Sequence, residues 1–133
     1  MIICLCDGGC KGNPGLGTVG VVIWKRLSGT SSMRRVTPFH KISRRIGHTT
    51  NNLAEWQAIL DAALWCKENA KQGEDIFIYS DSTLATHQAN GKWKVKDNGM
   101  RTMYTKFMEV THGFNVTISW LPRQLTCLAD ELT

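Results

Sequence analysis

The sequence lacks any long uninterrupted apolar run and holds little proline. Glycine (12) and proline (3) together make up 15 of the 133 residues, which argues against collagen-like, low-complexity and disordered chains. No window approaches the roughly 18 consecutive apolar residues that a membrane span requires. The first residues also lack the charged start and long apolar stretch of a signal peptide. We therefore expect no membrane association and a cytoplasmic location.

Cysteine is present in the wrong number and spacing for a disulfide scaffold or a zinc site. The chain has five cysteines, which are Cys4, Cys6, Cys10, Cys66 and Cys127. An odd number does not suit a disulfide framework, and no second pair of Cys or His stands at zinc-ligand spacing. We interpret the cysteines as reduced thiols that mostly contribute to packing.

What the chain does contain indicates one globular domain over residues 1–133. Apolar residues account for 42% of the chain and charged residues for 20%, which is enough for a buried core at this length. Sixteen Lys and Arg stand against eleven Asp and Glu, so the net charge is +5. A basic surface suits an anionic partner such as nucleic acid, although charge alone does not identify one. Nothing in the sequence indicates an obligatory protein partner, so we expect a monomer.

Apolar periodicity and turn residues predict three strands in hairpin order, followed by alternating helices and strands. The predicted strands cover residues 1–6, 18–24, 33–46, 76–79 and 116–120, with a hairpin loop at 28–32. The predicted helices cover residues 53–73, 80–91, 100–110 and 125–132, with cap candidates for the first at 49–52. This order implies an α/β fold with a mixed five-stranded sheet, three antiparallel strands and then two parallel ones, flanked by helices.

Two acids directly follow the two most apolar predicted strands. If those strands are parallel neighbours, the carboxylates of Asp7 and Asp81 lie side by side, and such a pair is usually neutralised by a cation. Oxygen ligands without nearby His or Cys favour Mg²⁺ or Mn²⁺ over zinc. Glu55 in the first turn of the long helix and Asp130 in the terminal helix are placed to reach the same sheet edge. Four carboxylates around two ions, about 3.5–4 Å apart, suit phosphodiester hydrolysis.

Each of these acids also has a purely structural interpretation. Asp7 precedes two glycines and suits an Asx turn, whereas Asp81 suits a helix N-cap. Glu55 can form a capping-box arrangement with Asn52, and Asp130 can be a solvated helix residue. The sequence pattern alone leaves these alternatives open.

Taken in order, four motifs resemble those of the type 1 ribonuclease H family. They are DGGCKGNPG at 7–15, TTNNLAE at 49–55, YSDS at 79–82, and LPR at 121–123 with ADEL at 129–132. The resemblance covers nearly the whole chain and implies a ribonuclease H-like fold. It implies endonucleolytic cleavage of the RNA strand of RNA/DNA hybrids with two Mg²⁺ ions, for which Mn²⁺ is a possible substitute, leaving 3′-hydroxyl and 5′-phosphate ends. The catalytic, metal-binding acids would then be Asp7, Glu55, Asp81 and Asp130.

The resemblance also implies where the hybrid is contacted. The positions that match hybrid-contacting residues of the family are Cys10, Asn13, Asn51 and Asn52, and Thr50 matches one that holds a DNA-strand phosphate. The local sequence agrees, since Asn13 lies in a glycine-rich turn and Thr50 precedes a helix N-terminus, whose free N–H groups favour phosphate. Capping alone is the alternative for Asn51 and Asn52.

Two segments depart from many relatives. Residues 91–96 interleave lysines with Trp93, which would lie against a deoxyribose while the lysines contact phosphates; a lysine-rich loop with a packed tryptophan is the alternative. Many relatives have a longer basic protrusion here, so we expect weaker binding. Before the last acid, many relatives carry a mobile loop with a His, whereas the short segment of this chain has no His and offers Arg123. A permanent cation can attract the scissile phosphate but cannot act as a general base near neutral pH.

Three rival functions remain at this point. One is a module that binds hybrids or double-stranded RNA without cutting, which the loss of any one carboxylate would have favoured. Another is a nuclease of the same fold with a different substrate, such as a reverse-transcriptase-associated domain or a resolvase-like enzyme. A generic phosphate-binding loop fits least, because residues 8–15 lack the Lys-Ser/Thr ending of a P-loop.

Overall fold

The structure is a computed structural model that describes residues 1–25 and 39–126. Within these ranges it contains five strands, which are β1 (Ile2–Lys11), β2 (Gly15–Lys25), β3 (His40–Thr49), β4 (Asp75–Ser80) and β5 (Asn115–Trp120). It contains four helices, which are α1 (Asn51–Asn69), α2 (Thr83–Ala89), α3 (Asn98–Thr111) and α4 (Arg123–Thr126). None of the helices in the described ranges is both long and apolar enough to cross a membrane.

The strands form one sheet in the order β3-β2-β1-β4-β5. β1 pairs antiparallel with β2, and β2 pairs antiparallel with β3. On the other side, β4 is parallel to β1 and to β5. The predicted α/β fold with a mixed five-stranded sheet is therefore confirmed.

Helix α1 packs the main core against one face of the sheet. Trp56 is fully buried there and donates its indole N–H to the Gln88 side-chain oxygen at 2.8 Å. The rings of Tyr104 and Phe107 on α3 meet the same indole edge-on. Burial of large apolar side chains between α1, α3 and the sheet fixes the position of α1 relative to β1.

Strand β1 is longer than the sequence predicts. Its parallel pairing with β4 ends at Cys6 opposite Ser80, but its antiparallel pairing with β2 continues to Lys11. The predicted strand end at Cys6 is therefore wrong for β1 itself and correct only for its pairing with β4. Asp7 lies inside β1, where its backbone pairs with β2. The Asx-turn interpretation of Asp7 is therefore wrong.

Other boundaries shift by a few residues. Strand β3 runs to Thr49, beyond the predicted end at 46, and its predicted first part at 33–38 lies outside the described residues, as does the hairpin loop at 28–32. Helix α1 ends at Asn69, before the predicted 73, because the backbone becomes extended at Ala70, with φ −76° and ψ 143°. Helix α4 begins at 123, before the predicted 125, and the remainder of that predicted helix lies outside the described residues.

The described cysteines are free thiols. Cys4, Cys6 and Cys66 are buried, with the sulfur atoms of Cys4 and Cys66 3.7 Å apart. Burial raises the pKa of the Cys6 thiol well above its usual value, which keeps it protonated. These thiols act as packing residues, as the sequence indicated. Cys127 lies outside the described residues.

Candidate active site

Asp7 and Asp81 lie beside each other directly after the point where the parallel pairing of β1 and β4 ends. The last parallel pair joins Cys6 to Ser80, so the next residues of the two chains are these two acids. Their proximity follows from strand register, as predicted from the two apolar runs. The N-cap of α2 is Ser82, whose hydroxyl accepts from the Ala85 N–H, so the capping alternative for Asp81 is wrong.

Glu55 reaches the two aspartates from α1. The helix begins after Thr50, which is the N-cap and accepts from the Leu53 N–H, so Glu55 falls in the second turn, not in the predicted first. A Cβ atom at Gly8 would overlap the carbonyl oxygen of Ala54. The absence of a side chain at Gly8 therefore lets the helix backbone touch the strand directly beside Asp7.

The three carboxylates form a compact acidic cluster. Asp7, Glu55 and Asp81 each place an oxygen within 4.8 Å of the others. Partial burial, followed by the negative charges of Asp81 and Asp7, raises the pKa of Glu55 to about 9. A hydrogen bond from the Ser80 hydroxyl to Glu55 at 3.3 Å acts in the opposite direction. The three carboxylates therefore repel one another unless a proton or a cation binds among them.

The donor set fits a hard divalent cation. All three ligands are carboxylates, and Oδ1 of Asp81 is buried without a hydrogen-bond partner. Ion pairs among the described residues involve Glu74 and Asp61, and none of them neutralises Glu55 or Asp81. Such oxygen ligands suit Mg²⁺ or Mn²⁺. The fourth predicted acid, Asp130, lies outside the described residues.

Strand β5 holds the backbone on which Asp81 sits. The indole N–H of Trp120 donates to the Asp81 carbonyl at 3.0 Å, and the Leu121 N–H donates to the Ser80 carbonyl at 3.0 Å. The Ser82 N–H donates to the Ser80 hydroxyl at 3.1 Å. No signal in the sequence indicates this role of Trp120, since alternation along a strand carries no information about which backbone carbonyl a side chain will contact.

The predicted hybrid-contacting residues of the glycine-rich turn and of α1 lie together. Oδ1 of Asn51 accepts from the Cys10 N–H at 3.0 Å, and Oδ1 of Asn13 accepts from the Asn51 N–H at 3.2 Å. Capping alone therefore does not explain Asn51, because Thr50 supplies the cap. Cys10, Asn51 and Asn52 line an open groove that also contains the three acids.

The two remaining predicted residues have different surroundings. Arg123 is exposed at the start of α4 and lines the same groove as the acids. Trp93 follows α2, is 46% exposed, and rests on the His87 ring with the centroids 4.4 Å apart. The Trp93 ring is therefore partly packed and partly exposed, and its contact with a deoxyribose stays a prediction.

Comparison with known proteins gives a consistent result. The family model described as RNase H matches residues 1–122. The bifunctional protein Rv2228c of Mycobacterium tuberculosis is 29% identical over 133 residues, covering 98% of this chain and 34% of the relative. Ribonuclease HI of Halobacterium salinarum is 34% identical over 128 residues, covering 95% of this chain and 59% of the relative. The chain thus spans about a third to three fifths of these curated relatives.

Solved structures show the same similarity in three dimensions. The N-terminal RNase H domain of the mycobacterial protein superposes with a TM-score of 0.84 at 26% identity, covering 99% of this chain and 89% of that one. LC11-RNase H1 in complex with an RNA/DNA hybrid superposes with a TM-score of 0.79 at 28% identity, covering 99% and 93%.

Proposed function

The chain belongs to the RNase H family, and from this premise we propose that it is a nuclease that hydrolyses the RNA strand of RNA/DNA hybrids. The observation that carries the proposal is the cluster of Asp7, Glu55 and Asp81 within 4.8 Å at the floor of an open groove. The acidic cluster offers a site for cations. The net charge of +5 means that the rest of the chain is basic and offers a surface for an anion. The similar LC11-RNase H1 was solved with such a hybrid.

Two Mg²⁺ ions are the cofactor that the proposal requires, with Mn²⁺ as a substitute. Asp7 and Asp81 would anchor both ions, Glu55 would hold one of them, and Asp130 would complete the second site. Bound there, the ions would activate a water molecule and stabilise the leaving oxygen, giving 3′-hydroxyl and 5′-phosphate ends. A carboxylate set of this kind needs no covalent intermediate.

The protein's own groups would prepare this site. Glu55 carries a proton at neutral pH, since its pKa is about 9, and it would lose that proton as the cations bind. Arg123 stands at the groove as a permanent positive charge and would attract the scissile phosphate. It would not take a proton from water, because a guanidinium stays protonated.

Discrimination of the two strands would come from short polar groups near the acids. We assign hybrid contacts to Cys10, Asn13, Asn51 and Asn52, where side chains and backbone can meet the 2′-hydroxyls that distinguish RNA from DNA. Thr50 at the start of α1 would hold a DNA-strand phosphate. The exposed part of the Trp93 ring would lie against a deoxyribose of that strand.

The experiment that tests this function compares substrates and ions. A labelled hybrid, the matching RNA duplex, the DNA duplex and single-stranded RNA are incubated with Mg²⁺, Mn²⁺ or a chelator. We expect cleavage of the RNA strand of the hybrid alone, and only with a divalent ion. Cleavage that survives the chelator, or that ignores the DNA strand, would refute the proposal. Tight binding without any cleavage would favour the rival binding module.

The products and the state of the protein are tested separately. Products with 3′-hydroxyl ends can be extended by a polymerase, whereas cyclic or 3′-phosphate ends cannot.

We also propose that residues 1–133 form one domain that acts as a monomer in the cytoplasm. The free thiols of Cys4, Cys6, Cys10 and Cys66 suit a reducing compartment. Light scattering that gives a dimer mass would contradict the monomer.

A further inference from the structure

Two adjacent arginines on β3 have opposite environments. Nε and Nη2 of Arg44 donate to the Asp61 carboxylate on α1, at 2.7 and 2.9 Å. Arg45 projects on the other face, is exposed, and lines the groove that contains the three acids. Among the described residues no ion pair involves Arg45. An exposed cation on the groove wall that forms no ion pair within residues 1–25 and 39–126 is available for a ligand.

Strand pairing places Arg45 on the same sheet face as Asp7, one same-face row away. Gly20 of β2 pairs with Asp7 on one side and with Ser43 on the other. In the adjacent same-face row, Thr18 pairs with Gly9 and with Arg45. Because neighbouring strands are about 4.8 Å apart, β3 lies roughly 10 Å from β1. Arg45 therefore sits on the sheet face that carries Asp7, two strands away.

The surface between Asp7 and Arg45 has small side chains. We call the patch formed by Thr18, Gly20, Ser43 and Arg45 the β3 arm. The residues at its centre are a glycine, a serine and a threonine, so no large side chain blocks the groove floor and a chain of phosphates and sugars can approach the sheet closely. Hydroxyl groups at Thr18 and Ser43 supply neutral donors beside the one cation.

We propose that the β3 arm binds the backbone of the RNA strand, with the Arg45 guanidinium contacting a phosphate within about three nucleotides of the cut. The inference rests on the proposed function. The strand that is cut must place its phosphate at the acids. The β3 arm extends the sheet face of Asp7 toward the β3 edge of the sheet, away from the β5 edge. The contacts assigned to the DNA strand, Thr50 and Trp93, lie at the start of α1 and after α2.

The first test compares Arg45→Ala with Arg45→Lys and with the control Lys106→Ala, an exposed cation on α3 outside the groove. For Arg45→Ala we expect the KM for hybrid to rise about fivefold with kcat unchanged, which is the upper range for one exposed ion pair. The slope of log affinity against log salt should fall by about 0.7–1. Arg45→Lys should keep the wild-type slope, and Lys106→Ala should change neither quantity.

The second test identifies the strand. Single phosphates of the RNA or the DNA strand are replaced by neutral methylphosphonates, and hybrid binding is measured by fluorescence anisotropy with Ca²⁺. One RNA-strand replacement near the cut should weaken binding by wild type and have no further effect on Arg45→Ala, as expected for coupled groups. Coupling to a DNA-strand phosphate, or wild-type KM and salt slope in Arg45→Ala, would overturn the inference. A wild type that binds but does not cleave would refute the proposed function alone, because the Arg45 contact is still measured by binding.

Discussion

Helix α1 carries two acids that the fold treats in opposite ways. Asp61 is only 8% exposed and accepts from both Arg44 nitrogens and, at 2.8 Å, from Gln57. Glu55, six residues earlier, faces Asp81 and Asp7, and its pKa is raised first by burial and then by these two negative charges. The Asp61 charge is balanced by the protein itself, whereas the charge around Glu55 is left for a proton or a cation. We infer that the first site supports the fold and the second supports function.

The largest effect should come from removing an acid of the cluster. Asp7→Asn is expected to lower Mg²⁺-dependent cleavage by about 10²–10³-fold or more, because a ligand for the reacting site is lost. Thermal stability should stay the same or rise, since one of the like charges in the cluster disappears. Initial rates and thermal unfolding measure the two effects. Glu109→Gln, an exposed acid on α3, is the control, and undiminished cleavage by Asp7→Asn would contradict the assignment.

The raised pKa of Glu55 predicts a pH-dependent stability in the absence of divalent ions. Between the unfolded pKa of 4.5 and the folded pKa of about 9, the folded protein holds one more proton than the unfolded chain. The free energy of unfolding should therefore fall as pH rises through this window, by at most about 1.4 kcal/mol per pH unit from this group.

Urea unfolding in chelator at pH 6, 7 and 8 measures this slope. Glu55→Gln removes the titrating group, so its slope should be flatter than that of wild type. Mg²⁺ should also flatten the wild-type slope, because a cation takes the place of the proton. Equal slopes for wild type and Glu55→Gln would show that another group dominates.

Breaking the paired acid should cost stability and leave the chemistry intact. Arg44→Ala leaves the nearly buried Asp61 without its cationic partner, which should lower the free energy of unfolding by about 1–3 kcal/mol. The lower part of this range is expected, since 46% of the Arg44 side chain is exposed. Mg²⁺ affinity should not change, as measured by calorimetry. A shift in metal affinity would show that the two acidic regions are coupled.

The smallest effect concerns the Ser80 hydroxyl, a neutral donor to Glu55. Ser80→Ala removes the hydrogen bond that lowers the pKa of Glu55. The midpoint of Mg²⁺ activation should move to higher pH by less than about one unit. A pH series of initial rates measures the shift, with Ser119→Ala on β5 as the control. A shift to lower pH would contradict the sign of the hydrogen-bond effect.

Much of the site could be predicted because its signals are local. Apolar runs followed by acids located Asp7 and Asp81, and the order of motifs indicated Glu55 as their partner. The signals for Trp120, Gly8 and Arg45 are not local. Trp120 meets the carbonyl of Asp81, 39 residues away, and Gly8 contacts Ala54 on another element. Neither partner can be read from the residues flanking it.

The sequence by itself determined the α/β order of elements and the residue types of an acidic, cation-binding site within a basic chain. Periodicity and strand ends depend on neighbouring residues, so they are visible before folding. Only the tertiary structure decided which acids are neutralised and which remain exposed to a ligand. Arg44 and Arg45 are chemically identical neighbours, yet the alternation of β3 directs the first to Asp61 and the second to the groove. Strand register and the close contact of α1 with β1 therefore separate a stabilising ion pair from a binding site.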